Sequence, residues 1–489
     1  MPDKKTKPVR YASKEFDTIK DSLVEYAKTY YPDTYKDFTD ASFGSLMLDT
    51  VAYIGDMLSF YVDYQSNESF IDSAIETKNL LKLAKQFGYK RPLEFTSTGK
   101  CSFYVQVPAT TAGLPDTDLI PILKEGTTLS SAAGTSLMLV KDVDFSRSDS
   151  EVVVAQTNTD GIPTSYAYKA YGNVISGFVE TEVLSVGSYQ KFLKLSLKGE
   201  NITEIISVVD SEGNEYFEVP YLSHNIVYQA IRNPTPAGEE DAPYIMREKL
   251  VARRFIIDVD EFGVTSLQFG YGSENSLKNN QYPDPSSVAL QRYARNYYSD
   301  DSFDPSILLK TDKFGVVPPS GDLLVTYRKN NNSVVNIPVG SINAIDSPIV
   351  GYGTNDVPSS SDRLFINNSL DVDNEEAILG QIDEARQEEI RVRAIDAYSS
   401  QNRAVTKQDY ISLAYRMPSK FGAIRRANIV QDKDSFKRNL NMYVISEDID
   451  DNLTTSSSTI KENLKTWLSQ YKMINDTIDI LDGQVINFG

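Results

Sequence analysis

With 489 residues, 40% of them hydrophobic, and a formal net charge of −19, the chain has room for two to four domains with ordinary cores. Its acidity argues against nucleic acid or an anionic membrane surface as a main partner. One cysteine (Cys101) and one histidine (His224) exclude an intrachain disulfide framework and a zinc site of several His or Cys ligands.

The opening MPDKKTKPVRYASKEF is basic but lacks the apolar stretch of a secretory signal. No apolar run approaches the roughly 18 residues needed to span a membrane. Folding in a reducing cytoplasm is therefore expected. Residues 13–31 predict a first helix, with Phe16, Ile19, Leu23, Tyr26 and Tyr30 as its stripe, Ser13 as cap and Pro32 as stop. A long helix follows, opened by Asp40 or Ser42. In it Phe43, Met47, Val51, Ile54, Leu58 and Tyr61 recur at steps of three and four. Leu46, Tyr53, Met57, Phe60 and Tyr64 cover other angles, so this helix asks for burial on several sides. The carboxylates Asp49, Asp56 and Asp63 form a seven-residue ladder along one face, the face expected to meet water or a basic neighbour. A third helix is predicted near Thr77–Phe87, with Leu80, Leu83, Ala84 and Phe87 on one side and Gly88 at its C-cap.

From about Thr96 the texture turns to period-two alternation, as in CSFYVQVPA, VDFSR, YFEVPYL and TSLQFGYG. Turn residues separate these runs, for example Ser211–Asn214 and Asp260–Gly263. The polar stretch Asp284–Ser302 and the loop Pro358–Asp362 are expected on the surface. No repeat of fixed period is present, against a solenoid. Helical spacing returns after Asn374. Thr406 and Asp409 then form a capping-box pattern, with Tyr410, Leu413, Ala414 and Met417 as buried stripe and Pro418 as stop. Strands at Ala423–Val430 and Asn441–Ile445, a helix at Ser458–Tyr471 and a strand at Thr477–Ile480 complete a small α+β domain. The chain stops at VINFG, where a further strand could begin.

The fold class is thus α+β multidomain: a helical bundle segment over 1–92, a β-rich middle over 96–370, and a small C-terminal α+β domain over 384–489.

The catalytic inventory is thin. A nucleophilic triad would need His224, in YLSHNIVYQ, and no nucleophile elbow accompanies it, so a loop or strand-end histidine is expected. The 30 tyrosines read as core and interface material. Asp371, Asp373, Asn374 and Glu375 open like a calcium loop but carry Glu376 where glycine belongs and Ile382 where a bidentate glutamate belongs. The Glu447–Asp451 cluster lacks the same glycine. Solvated loops are expected at both. The ladder carboxylates stand roughly 10 Å apart, too far to share an ion. No metal, cofactor or catalytic residue is assigned. Between Arg386 and Arg426, nine basic residues against four acidic ones leave a local +5. The choice there is between solvated ion pairs and a docking patch for an acidic neighbour.

Four segments together resemble a known family. The first is FGSLMLDTVAYIGDMLSFYVDYQSNESFIDSAIETKNLLKLAKQFGYKRP, with Gly44, Leu46, Leu48, Val51, Ala52 and Tyr53, then Glu68-Ser69-Phe70, then Gly88, Tyr89 and Pro92. The second is KEGTTLSS, with Lys124 where the family has proline. The third is FGVTSLQFGYGSE, with Tyr271 in an acidic position. The fourth is NRAVTKQDYISLA, where Arg403, Val405, Thr406, Asp409 and Tyr410 fill R-x-V-T-x-x-D-Y. In this order they resemble the baseplate wedge proteins of contractile-tailed bacteriophages, the baseplate J-like group.

The resemblance implies a structural, non-enzymatic subunit of the virion tail baseplate, assembled in the host cytoplasm. It implies that two copies and one partner wedge protein are held by a helical core bundle. Wedges would form a ring around the hub that passes host attachment on to sheath contraction. Partners would be a second copy, other wedge and hub proteins and the sheath-initiating protein, with no nucleic acid and no membrane. Wedge proteins of larger phages continue into a further domain, and little chain remains here after Gln484. The interface residues expected are Leu46, Val51, Ile54, Leu58 and Tyr61 for bundle packing, and Arg391, Arg393 and Arg403 for docking. Alternatives are a tail-fibre or receptor-binding protein and, behind it, a carboxylate-based baseplate polysaccharide hydrolase.

Overall fold

The computed structural model describes residues 15–33, 39, 42–110, 112–147, 150–232, 244–273, 314–332, 334–352, 358–432 and 439–486. Ser13, Asp40 and the stretch Asp284–Ser302 lie outside them. Seven α-helices occur among the described residues. They are α1 (Phe16–Tyr30), α2 (Phe43–Asn67), α3 (Thr77–Gln86), α4 (Ser360–Asn368), α5 (Gln387–Ser400), α6 (Lys407–Tyr415) and α7 (Ser458–Ser469). N-terminal helices followed by a β-rich region make the chain α+β.

The chain divides into two compact units: Met1–Lys90 with Glu384–Gln401, and Arg91–Asp383 with Asn402–Gly489. Helix α5 belongs to the first unit.

In the first unit, Ser42 caps α2 by accepting the Ser45 N–H at 3.1 Å. Helix α3 ends as its sequence predicts. Gly88 is left-handed at φ 91°, its N–H donates to Lys85 O and that of Tyr89 donates to Ala84 O, both at 3.1 Å. Helices α1 and α2 pack together. Helices α3 and α5 bury Leu80, Ala84, Tyr89, Ile390 and Ala394 as a small core.

The second unit holds most of the β-structure. One seven-stranded sheet runs in the order Ile342–Ser347, Thr128–Ser131, Ser136–Leu139, Pro163–Ser176, Thr98–Pro108, Asp371–Asp373, with Glu151–Thr157 also paired to Pro163–Ser176. Its longest pairing sets Thr98 opposite Ile175 and Pro108 opposite Ser165. A second seven-stranded sheet includes the long adjacent strands Gly321–Lys329 and Ile202–Asp210. Each has its own core, around Phe103 and Leu137 in one and Leu267 and Tyr327 in the other. Gly177 joins strands Pro163–Ser176 and Phe178–Val186 at φ 95°, where a Cβ would stand 2.5 Å from Lys329 O.

Four hairpins turn by one device. Asn158, Asp210, Asp260 and Asp448 each accept, through Oδ1, the N–H groups two and four residues on, at 2.8–3.0 Å. The residue three on is left-handed: Gly161, Gly213, Gly263 and Asp451.

The C-terminal part keeps the order read from sequence: α6, strands Arg426–Gln431 and Asn439–Glu447, α7, and strand Thr477–Asp482. The crossover through α7 makes the last strand parallel to Asn439–Glu447. Thr406 and Asp409 cap α6 reciprocally.

Two expectations are corrected. The stretch Pro358–Asp362 is the start of α4: Ser359 accepts the Asp362 N–H at 3.2 Å as its N-cap. The Asp371–Glu375 cluster is no solvated loop. Asp371–Asp373 pairs with Thr98–Pro108, and Asn374 is fully buried, accepting from the N–H groups of Ser341 and Ile342 and donating to Pro338 O and Glu376 O.

Candidate interaction surface

Helix α2 is packed the opposite way round from an ordinary surface helix. Its small and acidic stripe turns inward. Ser45 and Ala52 are buried, while Asp49, Gly55, Asp56, Ser59 and Asp63 are half-buried. A Cβ on Gly55 would lie 3.2 Å from the Ile19 side chain, so the absence of one lets α1 approach. Lys20 on α1 pairs with Asp49 at 2.8 Å.

The large apolar side chains point outward. Leu46, Val51, Ile54, Leu58 and Tyr61 are 51–60% exposed, and Phe43 and Phe60 more so. The sequence asked for burial of this helix on several sides, and among the described residues only the polar side is covered. A contiguous apolar surface of this kind marks an interaction site. Covering each such side chain would yield on the order of 1 kcal/mol or more.

The connector between α2 and α3 is held rigidly. Glu68 is buried and accepts from Ile75 N–H at 2.7 Å, from Glu76 N–H and from Asn79 Nδ2 at 2.9 Å. Burial pushes its carboxyl up, but these three donors and the nearby Arg391 outweigh that, so its pKa lies below the ordinary value. Arg391, on α5, donates from Nε to Ile71 O at 2.9 Å and from its second fork to Ala74 O, and pairs with Glu388. Sequence reasoning gave no sign of this clamp, because its two halves lie more than 300 residues apart.

Arg391, expected at a docking patch, is buried with its guanidinium engaged inside the first unit. Arg393 pairs with Glu389 at 3.6 Å. Arg403 is exposed but belongs to the second unit. There, Lys420 pairs with Glu204 at 3.1 Å, Arg425 with Glu447 at 2.8 Å, and Arg416 donates to Asn402. The basic segment is divided between the two units, and Arg391, Arg393, Arg416, Lys420 and Arg425 are each engaged within their own unit.

The catalytic inventory takes the following places. Cys101 is fully buried, and burial, then Asp373, pushes its thiol up to about 12. His224 sits exposed in a turn. Asp448 of the Glu447–Asp451 cluster spends its carboxylate on the hairpin amides. Among the described residues no group of three His, Cys, Asp or Glu side chains could hold a metal, and no helix is long and apolar enough to cross a membrane. A groove of about 750 Å³ in the second unit is lined by Glu180, Glu182, Lys198, Tyr327 and Lys329. Its charges are partly self-satisfied: Lys329 pairs with Glu180, and the Lys198 N–H donates to Glu182.

Residues 15–86, which carry α1 to α3, match the family model described as bacteriophage baseplate protein, N-terminal domain. A chain of the anti-feeding prophage baseplate, solved by cryo-EM and 6-fold symmetrised, aligns at 9% identity over 94% of this chain and 70% of that one, with a TM-score of 0.22. A chain of the type VI secretion TssK-TssF-TssG baseplate subcomplex aligns at 9% identity over 89% of this chain and 95% of that one, with a TM-score of 0.28. No curated protein matches.

Proposed function

We propose that this chain is a structural, non-enzymatic subunit of a phage baseplate, and within it a wedge subunit of a contractile tail. One observation carries the reading. The segment matched by the baseplate N-terminal domain model is the same segment in which α2 presents its large apolar side chains to solvent. Our reading is that helices of other chains, a second copy and a partner wedge protein, cover that face to make a core bundle. Wedges so formed would join around the hub, next to the sheath-initiating protein, and pass host attachment on to sheath contraction.

The small core of the first unit supports this. Its largest buried cluster among the described residues, five apolar side chains, is little for a helical unit to stand on alone, and burial against other chains supplies what is missing. The test is the size of the full chain, expressed alone and with its neighbouring tail proteins. Self-association alone, and a defined complex on co-expression, are expected. A stable monomer that never joins such a complex overturns the reading.

A further inference from the structure

The strand Glu151–Thr157 is a second unpartnered element, in the other unit and independent of α2. Among the described residues it pairs on one side only, with Pro163–Ser176, so it is an edge strand. All seven of its residues are exposed. Its centre is three consecutive valines, Val152, Val153 and Val154, exposed by 46%, 62% and 49%. Edge strands are usually blunted by lysine, proline or an inward charge, and EVVVAQT carries none of these between Glu151 and Thr157. Two register shifts, at Ala155 and between Gln156 and Thr157, give some protection, and both lie beyond the valines.

The geometry points to strand addition here by a second copy of the same chain, antiparallel about a two-fold axis at Val153. Row after row of unpaired backbone groups is satisfied by another strand and by little else. The sequence is self-complementary in one register. With Val153 facing Val153 of the second copy, Val152 faces Val154, Val154 faces Val152, and Glu151 faces Ala155. All three valines then meet valines, the cross-strand pairing that β-branched side chains favour, and no carboxylate opposes another. Charge favours the same place. Two copies at −19 each repel, whereas the hairpin 151–169 carries only Glu151, Asp160 and Lys169. A two-fold contact is also the commonest closed arrangement of identical chains.

This inference does not rest on the baseplate reading, and its test is kept apart from it. Cys101 is fully buried, so an added surface cysteine is the only reactive thiol in the native chain. Val153→Cys is made in the full chain together with Ile54→Asp, which silences the α2 surface. Phe262→Cys, at an exposed hairpin tip (82%), measures chance collision. On mild oxidation Val153→Cys is expected to give several-fold more covalent dimer than Phe262→Cys. Val152→Cys and Val154→Cys, poor dimer formers singly, should cross-link to each other when mixed, because that register sets them face to face. Dimer from Val153→Cys no greater than from Phe262→Cys overturns the proposal. So does cross-linking of the Val153→Cys variant to another tail protein in place of a second copy, which would assign the edge to a different strand.

Discussion

Lys20 Nζ stands 2.8 Å from Asp49 Oδ1, a contact that ties the acidic stripe of α2 to α1. The first carboxylate of the ladder thus lies on the same side as the small residues that pack on α1, and the apolar stripe lies outside. The ion pair is partly solvated, at 27% and 34% side-chain exposure, so its own worth is roughly 0.2–1 kcal/mol. The two faces of α2 should therefore separate by mutation. Asp49→Asn should lower stability by less than about 1 kcal/mol and leave self-association intact. Ile54→Asp, on an exposed position, should keep the monomer's circular dichroism and melting temperature while removing the association that α2 supports. The cost of burying an unpaired charge in a bundle is about 3–5 kcal/mol. Sedimentation of the two variants checks both, and association by Ile54→Asp equal to the parent would sink the bundle.

Arg391 should behave as a structural residue of the helical unit. Arg391→Ala leaves Ile71 O and Ala74 O without their donors and should cost about 2–4 kcal/mol. Arg391→Lys should recover little of it, because one ammonium cannot reproduce a fork that reaches two carbonyls. Chemical denaturation followed by far-UV circular dichroism gives the comparison. A loss below about 0.5 kcal/mol would mean that the clamp is dispensable.

Glu68 predicts a pH dependence of definite sign. Its folded pKa lies below the unfolded value, so its contribution is present above the unfolded value, near 4.5, and fades as the pH falls through the folded pKa. Glu68→Gln removes that titration. The helical unit should then lose stability at neutral pH, yet show a shallower loss than the parent between about pH 5 and pH 3. Parallel slopes for parent and variant over that window would show that Glu68 does not titrate this equilibrium.

What was legible in the sequence is what is local. Helical spacing gave α1 to α3, Gly88 gave the end of α3, and Thr406 with Asp409 gave the cap of α6, since each depends on residues within one or two turns. The stripe of α2 was legible, and so was its need for burial. That the described residues cover only its polar side depends on the packing with α1. The placement of α5 was illegible because its partners, Ile71 and Leu80, lie more than 300 residues away along the chain. An arginine also reads as surface until its acceptors are known. The edge strand escaped for a different reason. Three successive valines show no alternation, and with both faces exposed the strand has no inner face to impose one. The start of α4 was masked by its own cap, since Ser359, Ser360, Ser361 and Asp362 look like loop material.

The recurring hairpin device yields a prediction from within the set of four turns. Three carry glycine at the left-handed position, whereas Asp451 holds φ 60° there. An L-residue in that region costs about 1–2 kcal/mol, offset in part because aspartate tolerates it and because glycine is costlier to order. Asp451→Gly should thus be neutral or stabilising by up to about 1 kcal/mol. The capping carboxylate is the opposite case. Asp210→Ala removes the acceptor shared by Glu212 N–H and Asn214 N–H at a residue only 6% exposed. It should destabilise the second unit by about 1–2 kcal/mol. Thermal melts of the two single variants and the double variant read both effects. The double variant should equal the sum of the singles, because the hairpins at 210 and 448 share no side-chain hydrogen bond. A stabilising Asp210→Ala, or an Asp451→Gly that costs more than about 1 kcal/mol, would mean that the turns are held by their strands and not by this geometry.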